Sequence, residues 1–406
     1  MFAHNTTDKY YLLGCINAVT TQYFLSILSP TLNYEVGQIS KLPISQNPNC
    51  LSLNIVIENI SISKQDWDAH ETSWDFQRSP LLDVEPTDGE QAHPESLKWS
   101  IAQYKKKWEQ LFMQLHSNEE ELNRQFIEIY GLQDELHPEV PMDEITILQQ
   151  GEIRFLPCPG SDSMYGAAIE WNDDVLMKQL LSYAIGCWMG RYRLDKPGLH
   201  IAHPNPSEEE VCTYDVNGFR FEIDDDGIIP LMEHQNPFED DNALQKIVNF
   251  VKMVFGENTL TENLNYIEHS LGKSIEAYLM KDFWKDHKKM YQNRPIYWLF
   301  SSKKGAFQVL VYMHRMNPYT AEKVRTKYLL PYIDFLQTKI QQDRDRGADL
   351  STIERKNLSK METALEECLE YHDRLHKVAD QRIGFDLDDG VIVNYAKFGD
   401  VLAKIK

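Results

Sequence analysis

The sequence lacks most features that would disclose a chemistry directly. No apolar run approaches the ~20 residues needed to cross a bilayer as a helix, and the first eleven residues carry His4, Asn5 and Asp8 where a signal peptide would place basic and then apolar residues. Its six cysteines (Cys15, Cys50, Cys158, Cys187, Cys212, Cys368) are scattered, with no C-x-x-C pair. A structural zinc site is therefore not expected, and the thiols read as reduced ones of a cytoplasmic protein. There is no Walker A string, no G-x-S-x-G and no H-E-x-x-H. His200, His203, His234, His314 and His372 fall at no metal-ligand spacing. No internal repeat or low-complexity tract is present.

What is present is a 406-residue chain of ordinary globular composition, 42% hydrophobic and 25% charged, with a formal net charge of −21. That length can bury a large core. The charge argues against a simple nucleic-acid binder, since phosphate neutralisation needs basic surface. Local distribution matters more than the total, however.

Helical periodicity dominates. Tyr11, Leu12, Leu13, Ile16, Val19, Tyr23, Phe24 and Ile27 predict one helix ended by Pro30, and residues 31–37 an extended piece. Leu51, Leu53, Ile55 and Ile57 alternate and predict a strand, with a helix as the competing reading. Residues 78–96, with Pro80, Pro86, Gly89 and Pro94, read as linker. A helix over 95–116 is expected to be followed by a second one capped at Ser117 and stopped by Gly131. Further helices are expected at 176–194, 242–256 and 259–284. Leu358, Met361, Leu365, Cys368, His372, Leu375 and Ala379 step alternately by three and four. This heptad seam is expected to pair with the preceding helix (Val324, Tyr328, Leu329, Ile333, Leu336) as a hairpin broken at Gly347, in preference to a dimerising coiled coil. The fold class expected is α+β, predominantly helical, with small sheets near 31–62 and 295–313.

Residues 201–245 hold twelve acids against the single Arg220. Asp224-Asp225-Asp226 and Glu239-Asp240-Asp241 could hold a divalent cation, but a solvated loop is the preferred reading because no lysine sits at nuclease-like spacing beside them. Residues 281–330 reverse the sign, with eleven lysines and arginines against three acids, interleaved with aromatics. Residues 295–300 and 306–313 read as two strands joined at Ser301–Gly305, which places Lys303 and Lys304 at a hairpin tip. The candidate DNA contacts are Lys285, Lys288, Lys289, Arg294, Trp298, Lys303, Lys304 and Arg315: cations for phosphates, and an aromatic for bases or sugars. Tyr297, Phe300, Phe307 and Tyr312 are instead expected to alternate into a core.

Several strings then resemble a known family. Residues 11–17 (YLLGCIN), with 29–39 (SPTLNYEVGQI) and 42–44 (LPI), resemble the end of a target-recognition domain of fused methyltransferases and restriction-modification enzymes. Trp67-Asp68, 71–76 (ETSWDF), 118–123 (NEEELN), 129–132 (IYGL), 183–187 (YAIGC), Gly190-Arg191-Tyr192, 226–230 (DGIIP), 297–300 (YWLF), 388–391 (DDGV) and 394–398 (NYAKF) resemble PglX, the adenine-specific DNA methyltransferase of BREX phage-defence systems. The similarity runs from about residue 10 to the end.

The resemblance implies a longer protein with a Rossmann-like methyltransferase domain on the amino-terminal side. Such a domain needs a glycine-rich loop for S-adenosylmethionine and an Asn/Asp-Pro-Pro-aromatic loop for the flipped adenine. Neither occurs here: Asn317-Pro318-Tyr319 and Asn236-Pro237-Phe238 each lack the second proline and read as turns. No catalytic, cofactor-binding or metal-binding residue is assigned, and S-adenosylmethionine is expected for the parent enzyme only. The chain is expected to be a fragment or a split gene product lacking the catalytic half. Its segments are then 1–77, the end of the target-recognition domain; 78–150, linker and helical spacer; 151–319, a mixed α/β DNA-contacting region with the basic hairpin; 320–384, the helical hairpin; and 385–406, a tail. Expected partners are double-stranded DNA, the methyltransferase half and other BREX proteins, with no membrane. The alternative is a helical protein-interaction module of the defence complex, with a tight protein partner and no DNA affinity. A metal-dependent nuclease ranks third, with no coherent site.

Overall fold

A computed structural model describes residues 6–29, 33–45, 53–86, 92–157, 167–233, 236–384 and 386–405. Pro30, Thr31, Leu32, Cys50, Cys158 and His234 lie outside this set. The fold is α+β and predominantly helical, as expected. The chain forms two compact units that cut across the segments anticipated from sequence: Met1–Ser73, Glu85–Thr87 and Ile101–Asn172 make the first, and Trp74–Val84, Asp88–Ser100 and Asp173–Lys406 the second. Among the described residues no single helix is long and apolar enough to cross a membrane.

The first unit is built on α1 (Thr6–Asn17), α2 (Val19–Leu28), the one-turn α3 (Val36–Ile39), α4 (Leu53–Asp68) and nearly all of α5 (Leu97–Tyr130), with a small antiparallel pair, β1 (Ile153–Leu156) and β2 (Ala168–Trp171). Three expectations are corrected here. The first helix is two, bent by 67° at Ala18. Asn123 of α5 accepts the Val19 N–H at 2.9 Å, and the Thr21 hydroxyl donates to the Cys15 carbonyl at 2.6 Å, so side chains satisfy the groups that the break exposes. Leu13, Ile16 and Ile27, read into the stripe, are exposed, while Tyr11, Cys15 and Ala18 pack on Val56, Leu122 and Phe126.

The expected strand from Leu51 is helix α4 wherever it is described, and residues 36–39 are a helical turn closed by a Glu35–Gln38 capping box. Leu53, Ile55 and Ile57 alternate as a strand would, but Leu53, Val56 and Ile60 also step by three and four, and it is this helical face that packs on Leu122 and Phe126 of α5. The cap expected at Ser117 is absent because α5 runs unbroken: Asn118 turns outward to donate to Glu58 and Asn59 of α4 at 2.9 and 2.8 Å. Gly131, at φ 66°, stops α5 as expected.

The second unit centres on α6 (Asp173–Trp188), whose residues from Leu180 to Trp188 are all buried. The hairpin β3 (Thr213–Val216) and β4 (Phe219–Glu222) turns at Asn217-Gly218, both at positive φ. Then come β5 (Ile228–Pro230), α7 (Ala243–Phe255), α8 (Leu260–Leu271), α9 (Ile275–Tyr278) and α10 (Trp284–Met290). The single helix expected over 259–284 is interrupted at Gly272, φ 64°, and restarts on the Ser274 cap. The strands β6 (Tyr297–Ser301) and β7 (Gln308–Tyr312) form the expected hairpin, and β5 adds to its far side in the antiparallel order β5-β7-β6. The outer edge of β6 is covered by the chain's last residues, where Ala403 N–H donates to Leu299 O at 2.9 Å.

After α11 (Thr320–Lys323) come α12 (Leu330–Arg346) and α13 (Thr352–Asp380), the expected intrachain hairpin, tied by Arg344–Glu362 and Arg346–Glu354 ion pairs. The short α14 (Val391–Ala396) follows.

Candidate nucleic-acid interface

The basic segment folds around a sheet buried on both faces. Every residue of β6 is buried, and so are Val309–Tyr312 of β7. Tyr297, Phe300, Phe307 and Tyr312 are core, in line with the alternation expected of them. Trp298 is not a DNA contact: it is fully buried, its indole N–H donates to Pro295 O at 3.0 Å, and its ring meets Tyr395 and Phe398 edge-on. Arg315 is likewise interior. Its guanidinium donates to the carbonyls of Met189, Asp224 and Asp225 at 3.1, 2.7 and 2.8 Å, and it lies against Gly227, whose φ of 70° and lack of a side chain admit it. A sheet covered on one side by helices and on the other by the chain's own tail gives no alternating surface, so both residues read as exposed when they are not.

The remaining six fall on α10 and at the two ends of β6. Lys303 and Lys304 project from the tip, exposed, but the tip's backbone is held: Glu367 of α13 accepts the Lys304 and Ala306 N–H groups at 2.6 and 3.4 Å. Lys289 and Arg294 are exposed around the turn before β6, where Gln292 and Asn293 both take positive φ. On α10, Lys285 is exposed and pairs with Asp282 at 3.1 Å. Lys288 bends over the Trp284 ring, 4.5 Å from its centre, to the carbonyls of Lys404 and Ile405. Burial, then Lys285 nearby, lowers the Lys288 pKa. Lys289, Arg294, Lys303 and Lys304 thus stand exposed to solvent.

The acidic run at 224–226 is not a solvated loop. Asp224 is buried and accepts the N–H groups of Asp226, Gly227 and Ile228 (3.2, 2.7, 3.2 Å) while pairing with buried Lys246 at 3.0 Å. Burial alone would raise its pKa, but Lys246 holds it well below the carboxylate range. Lys246 also reaches Asp241 at 2.9 Å, whose carboxyl is pushed up to about 6 by burial and by Asp224. Asp226, pushed up to about 7 by burial and by the neighbouring Asp224 charge, receives Lys327 at 2.8 Å and the Tyr328 hydroxyl. Carboxylate oxygens of Asp224, Asp225 and Asp226 lie within 4.8 Å of one another. Their acceptor sites are taken by two lysines, a tyrosine and backbone amides, so the cluster is a structural knot joining β5, α7 and the segment before α12. The lysines come from 20 and 100 residues away in sequence, which is why local spacing did not reveal them.

Asn317-Pro318-Tyr319 and Asn236-Pro237-Phe238 are turns, as expected: each asparagine Oδ1 accepts the N–H two residues on, at 2.9 and 2.8 Å.

No family model matches the chain. Two curated proteins are similar along essentially all of it. One is the adenine-specific methyltransferase BrxX of Escherichia coli O9:H4 (strain HS), 37% identical over the whole chain and 34% of the relative's length. The other is the adenine-specific methyltransferase PglX of Lacticaseibacillus casei (strain Zhang), 33% identical over 98% of the chain and 32% of the relative. The chain therefore spans about a third of the length of the curated relatives it matches, and within that third it is homologous, end to end, to the adenine-specific methyltransferases BrxX and PglX.

Proposed function

We propose that this chain is the DNA-contacting scaffold portion of an adenine-specific DNA methyltransferase of the BREX phage-defence kind, acting in the cytoplasm. The observation that carries the reading is its end-to-end similarity to a third of two adenine-specific methyltransferases. In this reading the chemistry and the S-adenosylmethionine belong to a methyltransferase half outside this chain. That half would flip the adenine out of the duplex for transfer to its amino group. This chain would hold the duplex in register through phosphates. The exposed cations Lys289, Arg294, Lys303 and Lys304, in a chain otherwise strongly acidic, support that role. Other BREX proteins are partners in the same reading.

The test is binding of labelled duplex DNA across a salt series, beside the variant Lys289→Glu/Arg294→Glu/Lys303→Glu/Lys304→Glu. Wild-type affinity should fall steeply with salt, and the variant should bind on the order of tenfold or more weaker with a shallower slope. A well-folded chain that binds no duplex at low salt would remove the DNA role. It would leave the protein-interaction reading, to which the exposed Ile353 and Leu369 on α13 lend a surface.

A further inference from the structure

Burying a cation without a counter-charge is costly, and folded proteins rarely leave one so. Among the described residues, the buried and half-buried arginines of the second unit follow this rule except at Arg191. Arg193 holds Asp195 through two nitrogens, Arg325 holds Glu322, Arg374 holds Asp400, Arg78 holds Asp83, and Arg315 fills three carbonyls. Arg191 is half-buried and pairs with no carboxylate among the described residues. Its Nε–H donates to the Tyr192 hydroxyl at 2.7 Å, its head lies 5.1 Å from the centre of the Tyr192 ring, and among the described residues no carbonyl takes its terminal nitrogens.

The end of α6 does not supply the missing partner. Arg191 follows that helix by three residues, where loose carbonyls would welcome a cation. Every one of them is already used: Ile185 O by Met189 N, Gly186 O by Arg191's own N–H, Cys187 O by Gly190 N, Trp188 O by Asp224 N and Met189 O by Arg315. The guanidinium thus lies among aromatic rings. Tyr192, Tyr297, Tyr312 and His287 are buried, with the His287 ring 4.5 Å from Tyr297 and Tyr297 5.7 Å from Tyr312. Tyr291 and His314 beside them are half-buried.

His287 is 2% exposed. Its Nε2 accepts the Ile296 and Tyr297 amides, and its Nδ1 is buried without a partner, as is the Nδ1 of His314. With Nε2 an acceptor, the neutral ring carries its proton on Nδ1, so a buried donor is spare beside the spare guanidinium. Burial, and then the Arg191 charge, hold His287 near 3 and His314 near 4, so neither competes as a cation.

We infer that Arg191, with the His287, Tyr291 and His314 side chains around it, forms a binding site for a phosphate group. A guanidinium fork meets phosphate oxygens in pairs, and the aromatic walls accept whatever planar or apolar group the phosphate carries. Lys289 and Arg294 flank the same turn and would draw an anion toward it. The group could be a phosphodiester of duplex DNA, which is the case if the proposed function holds, or a free phosphate or phosphomonoester. The site itself does not depend on that choice.

The experiment measures thermal stability of the whole chain with inorganic phosphate titrated against chloride at constant ionic strength, in wild type, Arg191→Met and Arg220→Gln, the last an exposed arginine of β4 paired with Glu222. Phosphate should raise the wild-type midpoint by about 2–4 °C near ten times its dissociation constant. Arg220→Gln should respond as wild type does, and Arg191→Met should not respond. Without phosphate, Arg191→Met loses the bond to the Tyr192 hydroxyl and the contact with its ring, so its midpoint in chloride is read beside the wild-type one. A wild type indifferent to phosphate overturns the site without reference to any variant, and so does an Arg191→Met protein that melts far lower in chloride yet still responds. Duplex binding separates the sources. A salt slope smaller by about 1 in Arg191→Met places the group on DNA. An unchanged slope with the phosphate response intact assigns it to a small phosphate, and wild type that responds to phosphate but binds no DNA keeps the site and removes the DNA reading.

Discussion

At the scale of single residues, the buried charges of this protein are arranged in small closed groups. In the first unit His70 is the clearest. Its Nε2 meets Glu152 at 2.8 Å with both side chains buried, and its Nδ1 bonds the Asp66 carbonyl at 2.7 Å. Burial alone would lower the His70 pKa; the Glu152 hydrogen bond and charge outweigh it and raise the value. A histidine whose folded pKa lies above its unfolded one, about 6.5, stabilises fully below that pH and loses the contribution as pH rises through the folded value. Asp66, raised mainly by burial, favours the protonated chain too, so it does not offset the trend. The wild-type melting temperature should therefore decline from about pH 6.5 upward, and the decline should be smaller in His70→Gln, which cannot charge. Parallel curves for the two proteins between pH 6 and 9 would show that His70 is neutral in the folded chain.

At the scale of elements, the α12–α13 hairpin shows what a periodic pattern does and does not convey. The seam read from sequence is the seam that packs, but not evenly along its length. Cys368, Leu375 and Ala379 are buried, whereas Leu358, Met361 and Leu365 are only half-covered. Leu375→Ala should cost about 2–5 kcal/mol, and Leu358→Ala well under half as much. Equal losses in chemical denaturation would mean that the distal end is covered by something the chain itself does not provide. Long, strongly periodic elements such as this hairpin, α6 and the β6–β7 pair were legible because their own residues specify them. The breaks and joins were not. The bend at Ala18 depends on Asn123, the continuity of α5 through Ser117 on Asn118 reaching α4, and the helical choice for 53–68 on α5 as a neighbour. Each is settled by a partner 50 to 100 residues away. The candidate site divides the same way: exposure of Lys289, Arg294, Lys303 and Lys304 could be read from local pattern, while burial of Trp298 and Arg315, and the pairing of Arg191 with Tyr192 and with no described carboxylate, could not.

At the scale of the whole molecule, the charge of −21 has to be reconciled with the proposed role on DNA. Internal pairing hardly changes it, since Asp224, Asp226 and Asp241 are matched by Lys246 and Lys327, cations already counted in the total. What a duplex would meet are the exposed cations at the two ends of β6. Five strand residues at ~3.3 Å each set those ends about 16 Å apart, far enough for their effects to add independently. Their surroundings differ. Lys303 and Lys304 sit where the tip is tied to Glu367, with Glu366 and Glu370 exposed within one turn of α13. Those acids repel the same phosphates that the lysines attract. Lys289 and Arg294 flank Tyr291, which lies near Arg191, and among the described residues none of the three cations forms an ion pair. Charge reversal at the turn (Lys289→Glu/Arg294→Glu) should therefore weaken duplex binding more, and flatten its salt dependence more, than reversal at the tip (Lys303→Glu/Lys304→Glu). Adding Glu366→Gln/Glu367→Gln to the wild type should strengthen binding at low salt. If the tip pair proves the more damaging of the two, or if neutralising those glutamates leaves affinity unchanged, the duplex runs along the tip and α13, and the turn with its arginine serves some other anion.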